Sequence, residues 1–104
     1  MSQQEKLKLC GLLSIHARSL ACSSAIALGS QVKNMKNFLI KFDRSDVWSV
    51  NHSLMPHAKL LRYHCSMVLN AEAPHQISFS CKNLLSAVEL YDDAVIKIAN
   101  ITQP

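Results

Sequence analysis

Glycine and proline are nearly missing from this chain. Two glycines and three prolines in 104 residues leave too little turn chemistry for a multi-stranded β fold, which needs a break every eight to twelve positions. Charge is sparse as well, at 17% of residues against 49% hydrophobic, which excludes a disordered chain. None of the four cysteines, Cys10, Cys22, Cys65 and Cys81, belongs to a CxxC pair or any zinc spacing, so free thiols in a reducing compartment are expected. No phosphate-cradling glycine loop, HExxH or GxSxG motif occurs, and no enzyme is expected.

Long apolar runs are also absent. The uncharged window Ser19–Gln31 contains four serines and falls short of the roughly 20 apolar residues a membrane span needs. The start "MSQQEKLKLCGLLSI" has a charged head and a short apolar run, but His16 and Arg18 interrupt it before a cleavage site. The expectation is a cytoplasmic protein without a leader or membrane partner.

What remains is helix. The length suits one domain over residues 1–104. Across residues 4–28, Leu9, Leu13, Leu20 and Leu28 share a broad face with Cys10, Ala17, Ala21 and Ala25. Ala17, Ala21, Ala25 and Gly29 form a four-residue ridge of small side chains, which predicts close approach of another helix. A break is expected near Gly29, because an unbroken helix to Phe42 would extend about 60 Å. A second helix over 31–43 follows Val32, Met35, Leu39 and Phe42. "DRSD" at 43–46 reads as a turn, with Ser45 capping a short helical piece over 46–51. A helix over 54–69 is expected next, with Ser53 as cap and Pro56 in the first turn.

The last segment, 75–101, has the most regular pattern. Ile77, Cys81, Leu84, Val88, Tyr91, Val95 and Ile98 alternate four and three residues apart. The reading is an all-α, antiparallel bundle of about four helices, with more apolar helix face than one small bundle hides. It therefore predicts a homodimer.

Chemistry-bearing residues are few. In "MPHAKLLRYHC" His57 and His64 stand seven residues apart, about 10 Å along a helix axis. Leu61 occupies the position where a second helix-borne metal ligand belongs. A histidine metal site on this pair is thus a third reading behind two others, and no cofactor is expected. Cys65 follows His64 directly, but neighbouring helical residues diverge by about 100° and cannot form a nucleophile–base pair.

Residues 1–44 hold seven Lys/Arg against two acids, and 45–104 hold four against five. Lys33, Lys36, Lys41 and Arg44 gather on the second helix and make nucleic-acid binding the rival function. The leading expectation is a non-enzymatic interaction or regulatory module that binds itself and an unidentified protein. Its expected contacts are Trp48, Val88, Tyr91, Val95 and Ile98.

Overall fold

A computed structural model describes residues 2–24, 26–45, 47 and 52–102. They form four helices: α1 (Gln3–Ala21), α2 (Leu28–Arg44), α3 (Met55–Asn70) and α4 (Pro74–Thr102). A 3-10 turn, His52–Leu54, leads into α3. There is no strand among the described residues. The expected short piece over 46–51 lies, apart from Val47, outside the described residues.

Local chemistry sets each boundary. Ser2 caps α1: its hydroxyl accepts from the Glu5 amide at 3.1 Å and donates to the Glu5 carboxylate at 3.2 Å. The helix stops at Ala21, seven residues earlier than expected. Ser23 donates to the Ser19 carbonyl at 2.6 Å, and the Ser24 hydroxyl accepts from the Ala27 amide at 3.2 Å. This serine pair offers the backbone local partners outside the helix, and so it ends α1. The next helix starts before the glycine, not after it. Gly29 lies in the first turn of α2, so the ridge Ala17, Ala21, Ala25, Gly29 does not exist on one helix.

At the other end of α2, Ser45 is the C-cap and its hydroxyl donates back to the Phe42 carbonyl at 2.7 Å. It closes the helix behind it. Leu54, not Ser53, holds the N-cap position of α3, with Pro56 in the first turn, where its missing N–H costs nothing. Between α3 and α4 the Gln76 side-chain oxygen accepts from the Glu72 and Ala73 amides at 3.4 and 3.3 Å. Pro74 then starts α4.

The helices pack in the spatial order α2, α1, α4, α3. Each neighbouring pair is antiparallel. Cys10 meets Tyr91 near one end of α1 while Ala21 and Cys81 share a groove at the other. His16 stacks on Phe38, and Leu9 lies with Lys41. Met67 sits with Phe79, and His57 with Leu90 and Ile101. The molecule is a rod of 46 × 22 × 18 Å, its long axis close to the ~44 Å expected for the 29 residues of α4.

One core runs through all four helices. Leu13, Ala17 and Leu20 of α1, Met35 and Phe42 of α2, and Leu61 and Cys65 of α3 are fully or almost fully buried with Leu84, Val88 and Tyr91 of α4. Removing any one large aliphatic side chain here costs on the order of 2–5 kcal/mol.

Candidate functional site

The α4 seam is consumed inside the chain. Val88 and Tyr91 are fully buried, Ile98 nearly so, and Val95 packs against the same core. The expectation that Val88, Tyr91, Val95 and Ile98 form an outer contact is corrected on that ground. A helix between two neighbours needs its apolar stripe for both of them, and α1 and α3 cover it. Trp48 lies outside the described residues.

Polar groups pin the α1–α4 contact. The Tyr91 hydroxyl donates to the Cys10 carbonyl at 2.8 Å in the buried core. Asp92, the next residue, accepts from the Ser14 hydroxyl with one oxygen and from Arg18 at 2.7 Å with the other. Burial raises the Tyr91 pKa, reinforced by the nearby Cys10 thiol and Asp92. Burial also raises the Cys10 thiol, against the lowering effect of its hydrogen bond with Tyr91. Neither group is a nucleophile or base at neutral pH, and the cluster joins helices. A second cross-link, Arg62 to Asp43 at 2.7 Å, joins α3 to the end of α2. The Arg62 Nε is buried without a partner among the described residues.

The small-residue positions separate. Ala17 is fully buried and Ala21 half-buried; Ala25 lies outside the described residues, and Gly29 is exposed. A Cβ added at Gly29 would meet no atom within 4 Å. Close helix approach at that position is thereby overturned: the serine break places Gly29 on a helix face turned to solvent.

The four cations of α2 do share a surface. Lys33, Lys36, Lys41 and Arg44 are all exposed, and none forms an ion pair among the described residues. At 100° per residue they span about 140° of the helix, opposite the face that Met35, Phe38 and Phe42 bury.

His57 is exposed beside Leu90, Asp93 and Lys97, whereas His64 is half-buried with its ring edge-on to Tyr63 at 5.2 Å. They are not brought together. Among the described residues, no three His, Cys, Asp or Glu side chains form a group able to hold a metal ion. His16 is half-buried and stacks on Phe38, ring centroids 4.4 Å apart.

A surface that sequence reasoning missed lies on α3. Leu60, Tyr63 and Met67 are 45%, 55% and 47% exposed, and Phe79 of α4, beside Met67, is 67% exposed. The first three lie within about 60° of helix surface, turned away from the buried face Ala58, Leu61, Cys65, Val68. Their spacing of three and four residues was visible in the sequence. It was hidden by the interleaved Leu61, Cys65 and Val68, which have the same periodicity.

No helix among the described residues is long and apolar enough to cross a membrane. Compared with known proteins, the chain matches no family model, no curated protein and no solved structure.

Proposed function

We propose that the chain is a small non-enzymatic interaction module that associates with a second copy of itself through the outer face of α3. The observation that carries this reading is the strip Leu60, Tyr63, Met67 with Phe79 beside it: four large apolar side chains about half exposed or more. A strip of this kind on an otherwise polar helix face marks an interaction surface. Its side chains are uncharged, and α3 contains no acid. Two strips related by a two-fold axis meet like with like. Tyr63 supplies the aromatic anchor such contacts favour. The homodimer expected from the α4 seam is thus proposed on a different surface, and regulatory action on another protein would follow from the same faces.

The rival reading is nucleic-acid binding by Lys33, Lys36, Lys41 and Arg44, favoured by their exposure and by their lack of ion pairs among the described residues. Four cations give a modest, salt-sensitive phosphate contact. Native mass spectrometry of freshly purified, untagged protein separates the two. A dimer mass with nothing attached supports self-association. A monomer carrying an oligonucleotide, lost in Lys36→Glu/Lys41→Glu, supports the rival and overturns the first reading.

A further inference from the structure

The α4 seam outruns the helix that covers it. Antiparallel to α4, α1 ends at Ala21 opposite Cys81, and the chain then leaves through the serine turn to begin α2 at Leu28. Leu84, Val88 and Tyr91 are fully buried, but Ile77 and Cys81, the first two residues of the same stripe, are only partly covered. The space left by the missing turn of α1 is a groove of about 690 Å³, within the range of about 300–1,000 Å³ typical of small-molecule sites.

The lining has a definite chemistry. Leu28, Ile77 and Leu85 form aliphatic walls, and among the described residues no aromatic ring lines the groove for a planar ligand to stack on. Among the described residues Lys82 is the single charged one that lines the groove, and its ammonium forms no hydrogen bond or ion pair with any of them. The hydroxyl of Ser78, exposed at the rim, likewise has no partner among them. Among the described residues, no acid lines the groove to neutralise Lys82 or repel an anion.

From the juxtaposition of an open aliphatic groove with one unpaired cation at its edge, we propose that this end of the bundle binds an unbranched aliphatic carboxylate. The tail lies along Leu28, Ile77 and Leu85, and the carboxylate meets Lys82 and Ser78. Tail burial supplies the affinity and the charge-assisted contact at the rim selects the anion. A neutral planar molecule gains neither. The site is separate from the α3 strip and does not depend on self-association.

Calorimetric titration tests the proposal with octanoate, decanoate and dodecanoate below their micelle concentrations. One-to-one saturable binding is expected, tightening by about fourfold per methylene. Lys82→Glu should weaken dodecanoate by about fivefold to tenfold while leaving dodecanol unaffected. Ser78→Trp, at an exposed position, should fill the groove and weaken both by about tenfold or more. If that variant loses its helical circular dichroism, the wild-type chain still decides the matter. Dodecanoate should slow alkylation of Cys81, which lines the groove. Absence of saturable binding, equal affinity for dodecanol and dodecanoate, or affinities unchanged in both variants would overturn the proposal.

Discussion

The Tyr91 hydroxyl reaches across the helix interface to the Cys10 carbonyl, 81 residues earlier in the chain, at 2.8 Å and fully inside the core. That one hydrogen bond fixes the register of α4 on α1. It gives a buried phenol the partner its O–H requires. Asp92 extends the same register by one residue through Ser14 and Arg18.

Tyr91→Phe should therefore destabilise the fold by about 1 kcal/mol without changing its helix content, since the ring stays and only the hydrogen bond goes. Urea denaturation followed by circular dichroism measures this. An unchanged midpoint would mean that Tyr91 does not anchor the two helices.

Stability should fall on the alkaline side. Burial pushes the Cys65 thiol from 9.0 up to about 12, and Cys10 and Tyr91 are raised in the same direction. Each is neutral when protonated and holds its proton more tightly folded than unfolded. Its contribution is complete below the unfolded value and is lost as pH rises through the folded one. Between about pH 9 and 12 the unfolded chain releases protons that the folded chain keeps, so the melting temperature should drop. Cys65→Ala should make that slope shallower; a slope equal to wild type would show that Cys65 contributes nothing to it.

Thiol chemistry should sort the cysteines by depth. Cys22 is exposed, Cys81 half-buried, and Cys10 and Cys65 buried. Mass spectrometry after brief iodoacetamide treatment at mildly alkaline pH should find Cys22 modified first and Cys81 more slowly, its thiol raised by burial and by nearby Cys22. Cys10 and Cys65 should react only in denaturant. Early modification of Cys65 would contradict the α3 packing.

Gly11→Ala and Gly29→Ala should each stabilise the protein. Both glycines are helical, neither has a positive φ, and an added Cβ meets nothing within 4 Å. The gain is about 0.5–1 kcal/mol at Gly11, inside α1, and less at Gly29 in the first turn of α2. A loss on Gly29→Ala would restore the close-packing role for that position.

Much of the fold was legible because the apolar residues repeat with helical period. The 4-3 alternation from Ile77 to Ile98 places α4 over 74–102 within one residue of its expected ends. The failures have specific causes. Ser23 and Ser24 lie inside the helix expected over 4–28, but their hydroxyls compete for the backbone and end it. Periodicity reports that a helix has an apolar stripe and does not report what covers it. The seam through Val88 and Tyr91 thus read as an outer contact, although two neighbouring helices enclose it. The groove at Ile77 was invisible because it exists only where α1 stops short. The α2 cations alone kept their sequence-level arrangement, since exposed side chains depend little on packing.

Sedimentation velocity over a wide range of protein concentration tests the central claim most directly. It should be run on the wild-type chain, Tyr63→Glu/Met67→Glu and Ile96→Glu, the last altering an exposed apolar residue of α4 outside the strip. The account predicts a reversible dimer for the wild type and Ile96→Glu, and a folded monomer for the double variant at every concentration. A wild-type monomer throughout, or a dimer that survives in Tyr63→Glu/Met67→Glu, would contradict it.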